Sequence, residues 1–465
     1  MPTNPGVPKV QRPGFALLAP LAALALTSFA LLAPFPPLAV PARAQQRADP
    51  TLLGEIQSIR AIDNHAHVVR PVPDDHDYDA LPFSLLPPPP PGAAGDPFLL
   101  RPEYPMFAQA WKALYGYPYA DATPEHVKEA AALKQKAIAD HGADFPAWVL
   151  DKQGIDIVLA NRIAMGPELQ PPRFRWVPYA DALIFPLDNS AAKAGNADYA
   201  AFYPAEEKLL QRYMLDAGVR ALPATLADYC RTVVTPTLER QKVGGAVAEK
   251  FEAAYLRWLD FGPAREPDTA RIYAQYVKGG PPPAAAYKTL QDYLFAYIAR
   301  EAGRLGLAIH IHVSSNGGPN YDQRGADPRL LTWVFNEPSL RNTHFVILHA
   351  GFPEFRQTAS LLSKPNVYAD FSGLAYYAGV DAQAEVLRSW LSQWPEKVLF
   401  GTDGSPDSPA IGWEETGWVA SHTAREALAI ALTGMMDDGE ITRAQALELA
   451  RMVLRENAKQ LYGFQ

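Results

Sequence analysis

The chain has 465 residues, 48% hydrophobic and 20% charged, which is the balance of a folded protein with a sizeable core and excludes a disordered or fibrous chain. Its formal charge of −8 repels phosphate backbones and argues against nucleic acid as a partner. A single cysteine, Cys230, rules out a disulfide within the chain.

The chain opens with a basic start at Lys9 and Arg12, then "FALLAPLAALALTSFALLAPF", then small residues ending in Ala42-x-Ala44. This order is that of a secretory signal peptide over residues 1–44, and predicts an exported protein, periplasmic or secreted, with no stable membrane association after cleavage. An uncleaved membrane anchor is the competing reading. Cleavage removes the three cations Lys9, Arg12 and Arg43, moving the formal charge from −8 to −11.

Residues 45–465 read as one domain with eight strand-like segments. The first spans residues 60–64 and leads into "HAH", placing His65 and His67 at i and i+2, the spacing that shares one face of a strand. Some ninety residues then pass, with "PPPPP" at 87–91, before "IDIVLA" at 155–160, and Arg162 follows that second strand. The third strand is "LIFPL" at 183–187 or "FRWV" just before it. A helical stretch from about 195 to 243 precedes the fourth, "GGAVAEKF" at 244–251, which carries Lys250 and is followed by Tyr255 and Arg257. The last four, "LAIHIHV", "HFVILHA", "NVYADFS" and "KVLFGTD", recur at spacings of 22 to 37 residues from 307 onward. Several are continuous Val/Ile/Leu runs, as in a parallel sheet buried on both faces. Apolar strands separated by helices predict an α/β fold, a (β/α)8 TIM barrel with helical insertions after strands 1 and 3, at about 71–150 and 195–243. Loops after strands sit at the catalytic face of such a barrel, so both insertions are candidates for a lid or a specificity element.

The chemistry concentrates at strand ends. His65 and His67 close the first, His310 and His312 the fifth, His349 the sixth and Asp403 the eighth. In a barrel these ends surround one cavity, and a His/His/His/Asp set suits Zn2+ or a similar divalent ion. Arg162 and Arg257 are the candidate clamps for an anionic substrate. His76, His126, His141, His344 and His422 have no evident partners, and Cys230 reads as a small buried hydrophobe.

The segments "DNHAH", "HIHVSS", "LHAGFP", "PNVYADFSG", "LFGTDGSP" and "ENAKQLYG" resemble the amidohydrolase superfamily, most closely its amidohydrolase-related branch, over roughly 55–465. The resemblance implies a metal-dependent barrel that takes ligands from strands one, five and eight, sometimes with four and six. His65 and His67 match the strand-one pair, His312 the strand-five ligand, His349 the strand-six position and Asp403 the strand-eight carboxylate, with Gly404 letting the backbone turn out of the strand. His310 is then a deeper, barrel-filling histidine. Lys250 matches the position where some relatives carboxylate a lysine to bridge two metals. An unmodified lysine binding a substrate carboxylate and a solvated lysine on a helix are the alternatives. One departure is Asn64 standing between Asp63 and the histidine pair, which leaves Asp63 as a supporting group. The implied activity is hydrolysis of a C–N or C–O bond (amide, lactone or ester) of a small molecule. Metal-activated water is the nucleophile, Asp403 the general base then acid, and His349 polarises the carbonyl or binds the metal. A metal-dependent decarboxylase of a small carboxylic acid, or an exported binding protein without turnover, are the rival expectations.

Overall fold

Short aliphatic runs flanked by turns have too little length for helices and bury both faces when helices cover the sheet. In the computed structural model, which describes residues 47–88, 96–313 and 318–464, eight such runs become strands. The leader segment, Pro89–Pro91 of the proline run and Ser314 and Ser315 lie outside the described residues. The strands are β1 Ala61–Ala66, β2 Ile155–Asn161, β3 Phe174–Val177, β4 Ala248–Phe251, β5 Ala308–Ile311, β6 Phe345–Ile347, β7 Val367–Asp370 and β8 Val398–Leu399. The third is therefore "FRWV". The other candidate contains Pro186, which has no N–H for a ladder, and Asp181–Ile184 forms a 3-10 turn instead.

All pairings are parallel, in the orders β1-β2-β3 and β4-β5-β6-β7-β8. Parallel bridges Trp176–Ala246 and Tyr179–Lys250 join the β3 segment to the β4 segment, and Ala66–Gly404 joins β1 to the chain after β8. These close the ring into a (β/α)8 barrel. The seam between the β1 and β8 segments is stitched by Asn64 N–H to Phe400 O at 2.8 Å, Asp403 N–H to His65 O at 2.7 Å and His67 N–H to Gly404 O at 2.7 Å.

Inside the barrel Ile62, Leu159, Val177, Ala248, Val346 and Leu399 pack together, and Ala458 and Phe464 of the C-terminal segment plug one end. His310 lies in this interior with no solvent exposure, its Nε2 2.7 Å from Tyr462 OH, as expected of a barrel-filling residue. Helices fill both long stretches: Pro105–Tyr115, Pro124–His141 and Phe145–Gln153 before β2, and Phe202–Asp216 and Thr235–Val243 before β4. Among the described residues no helix is long and apolar enough to cross a membrane.

Candidate active site

The strand ends bring the sequence-predicted ligands together. Asp403 Oδ1 lies 3.1 Å from His65 Nε2 and 3.6 Å from His67 Nε2, and its Oδ2 lies 3.6 Å from His349 Nδ1. One ligand atom from each of His65, His67 and Asp403 falls within 4.8 Å of the other two. His312 joins the group through His349, with 3.0 Å between His312 Nδ1 and His349 Nε2. Lys250, fully buried in β4, places Nζ 3.3 Å from His65 Nε2 and 3.6 Å from Glu252 Oε1. The helical reading of the "AEKF" stretch therefore does not hold: its backbone pairs with β5, and Lys250 N–H reaches Pro178 O.

The backbone is bent to achieve this. A register irregularity in β1 between Asp63 and Ala66 re-aims the histidine pair. His349 and Asp403 both hold left-handed backbone angles, with φ of 59° and 58°, which non-glycine residues rarely adopt. His349 N–H is fixed by Asp370 Oδ1 at 3.0 Å and Asp403 N–H by the His65 carbonyl. Asp403 itself thus makes the turn that the sequence assigned to Gly404. The space belongs to Gly373, where a Cβ would sit 2.9 Å from Asp403 Oδ2 and 3.1 Å from His349 Nδ1.

Hydrogen-bond order fixes one pair of tautomers. Ser372 Oγ donates to Asp370 Oδ1 at 2.7 Å, so it accepts from His349 Nδ1–H at 3.0 Å. His349 Nε2 then accepts from His312 Nδ1–H, and His312 keeps a lone pair on Nε2. Near His65, the buried Oδ1 of Asn161 has no partner while the same amide lies 2.7 Å from His65 Nδ1. Nδ2 of that amide also donates to the Ala66 carbonyl at 3.1 Å, so the side chain holds the His65 ring in place. The residues present therefore fit a divalent cation: imidazole nitrogens and a carboxylate, with buried polar neighbours that fix their orientation.

The electrostatics split the pair. Burial, reinforced by Lys250, holds His65 well below the usual imidazole range. Burial alone would lower His67 too, but Asp79, 3.1 Å from its Nδ1, raises it above that range. Burial, then the charge of Asp79, pushes Glu252 up to about 8. Asp63 supports the seam, accepting from Thr402 N–H at 2.9 Å and His65 N–H at 3.1 Å.

A cavity of about 480 Å³ opens above these groups, lined by His67, His312, His349 and Asp403. Arg162 and Arg257 do not line it. Arg162 is fully buried, bridging Asp75 at 2.7 Å and the Val68 and Ala164 carbonyls, and so pins the loop after β1. Arg257 pairs with Asp292 at 2.8 Å and stacks on Phe261 beside a separate cavity. Sequence reasoning missed Asp79, Asn161, Tyr179 and Glu252. Two signals were available: Asn161 ends β2 where other strands end in a ligand, and Glu252 lies two residues after Lys250.

The amidohydrolase family model matches residues 174–464, more than half the chain. The chain belongs to the amidohydrolase family. A curated relative, Protein fluG of Emericella nidulans, is 25% identical over 228 residues, which is 46% of this chain and 25% of that protein. This amidohydrolase thus spans about a quarter of that relative's length. Among solved structures, a metal-dependent hydrolase from Lactobacillus casei superposes with a TM-score of 0.56 at 16% identity, covering 90% of this chain and 98% of the other. Glucuronate isomerase from Caulobacter crescentus gives 0.60 at 13% identity, covering 89% and 93%. Uronate isomerase from Thermotoga maritima gives 0.54 at 11%, covering 89% and 96%. At these identities the structural likeness speaks for the fold.

Proposed function

We propose that this amidohydrolase is a metal-dependent hydrolase that cleaves a C–N or C–O bond of a small amide, lactone or ester. The observation that carries the reading is the Asp403 carboxylate, with one oxygen against His65 and His67 and the other against His349, at the floor of a cavity large enough for a small molecule. His65, His67, Asp403 and His312 through its Nε2 are the proposed ligands, and their nitrogen-rich set favours Zn2+. Bound there, the cation supplies a water acidified from a pKa of about 15.7 to about 7. One ion is proposed. A second would call on Lys250 in carboxylated form, close to His65 and Glu252.

Asp403 takes the proton of the attacking water and returns it to the leaving nitrogen or oxygen, a base turned acid. His65 Nε2 at 3.1 Å and His67 Nε2 at 3.6 Å flank one oxygen of that carboxylate between the two transfers. His349 donates Nδ1–H to Ser372 Oγ and accepts at Nε2 from His312, a positioning role for the residue that the resemblance placed at the carbonyl or on the metal. The leader pattern supports export as part of the same proposal. Metal analysis of the purified chain, followed by a screen of amides, lactones and esters, tests the reading. Stoichiometric metal with hydrolysis is expected, and metal-loaded protein without hydrolysis anywhere in the panel would overturn it.

A further inference from the structure

Apart from its histidines and tyrosines, the ionisable lining of the cavity is acidic. Asp79, Glu252, Asp403 and Asp407 line it, and among the described lining residues there is neither lysine nor arginine. Lys250 has no exposure, and it faces His65 and Glu252 from below. Both arginines that would suit a carboxylate are held elsewhere, by Asp75 and by Asp292. The loop after β1 adds no cation to the lining: Arg70 is held by Glu168 at 2.7 Å and Arg101 by the Asp96 carbonyl at 2.8 Å, and residues 71–100 between them contain five aspartates and no lysine or arginine.

Glu252 gives this charge a direction. It lines the cavity at 4% exposure, its Oε1 lies 3.6 Å from Lys250, and its Oε2 has no hydrogen-bond partner among the described residues. A buried carboxylate oxygen without a donor is costly unless something supplies one. Asp79, by contrast, is already engaged by His67 at 3.1 Å and by Leu81 N–H at 3.0 Å. Beside Glu252, Tyr255 stacks within 4.6 Å of the His312 ring, and Tyr376 and Tyr377 face the same space. Aromatic faces and a carboxylate together make the surroundings of a cation.

We propose that the substrate carries an ammonium or guanidinium group, held by Glu252 Oε2 and the tyrosine faces beside it, and carries no carboxylate in that position. The inference rests on the hydrolase reading of the same site. It also separates this cavity from one built for a uronate or for decarboxylation, where an anionic group has to be recognised.

Two measurements on the full-length metal-loaded chain test it. In the first, calorimetry at pH 9, above the value of about 8 to which burial pushes the Glu252 carboxyl, compares hexylammonium with 1-hexanesulfonate, a weak metal ligand of the same length. The ammonium should bind at least about tenfold tighter, and Glu252→Gln should bring the ratio near one. Equal or tighter sulfonate binding, or an unchanged ratio in the variant, overturns the proposal whether or not the chain hydrolyses anything. In the second, 5-aminopentanoyl, hexanoyl and adipoyl p-nitroanilides are compared. Highest kcat/KM for the amino compound supports the proposal, and highest kcat/KM for the adipoyl compound contradicts it. Cleavage of none of the three, with ammonium-selective binding intact, counts against hydrolysis alone and leaves the cation preference standing.

Discussion

Two buried ionic clusters of similar depth behave oppositely. In the first, Lys134 reaches Glu414 at 2.8 Å and Glu415 at 2.9 Å, while Tyr115 OH and Gly412 N–H complete the oxygens of Glu415 at 2.6 and 2.7 Å. In the second, around Lys250, Glu252 and Asp181 each keep one oxygen, and Glu206 beside them both, without a partner among the described residues. The closed cluster ties the helix Pro124–His141 to the helix Trp413–Asp437 and is complete as it stands. The open one lies beside the proposed metal and substrate positions. Buried charge that is satisfied reads as architecture, and buried charge left short of donors marks where a fold waits for something it does not itself contain.

The largest expected contrast is catalytic. Asp403→Asn should lower kcat/KM by about a thousandfold or more, since it removes the proton acceptor while keeping the shape. Its thermal stability should stay close to that of the parent, and a loss of folding in step with activity would instead place Asp403 in the architectural class.

Next comes stability. Lys134→Met strands two buried carboxylates and should cost about 3–5 kcal/mol in chemical denaturation. Glu206→Leu should be neutral or stabilising by about 1 kcal/mol, because it removes an acid that already lacks partners. If both variants lose stability equally, the distinction between closed and open clusters is false.

The pH response sharpens the same point. Burial, then the charge of Asp181, holds the Glu206 carboxyl well above its ordinary 4.5. The folded state therefore keeps a proton that the unfolded state releases, so this stabilisation is full below 4.5 and is lost as pH rises through the higher folded value. Glu206→Gln should remove that loss, so its melting temperature should gain on the parent steadily from pH 5 to pH 8. A constant offset across that range would contradict the assignment.

The smallest effect concerns Cys230. Burial pushes its thiol up to about 12, so the folded chain should resist alkylation at pH 8 and react only on unfolding. Rapid labelling of the native protein would show that this helical region opens.

How much of this was legible depends on where partners sit in the chain. His65, His67, His312 and Asp403 could be read because period-two spacing and strand termini are local signals. The barrel followed from the apolar runs, and β3 and β4 were ambiguous, until Pro186 and the pairing of Phe174–Val177 with β2 decided the first and the pairing of Ala248–Phe251 with β5 the second. Arg162 and Arg257 misled because a lone arginine after a strand looks the same whether it faces a substrate or an aspartate. Their partners Asp75 and Asp292 lie 87 and 35 residues away. Asp79 was hidden for the same reason, since only folding brings the loop after β1 against His67.

The central claim is that side chains from distant strands share one cation at the barrel rim. Metal content of the His65→Ala/His67→Ala double variant, measured by elemental analysis beside the parent, addresses it most directly. The account predicts stoichiometric metal in the parent and essentially none in the variant, with circular dichroism and melting temperature preserved. Metal retained by a folded double variant would contradict it.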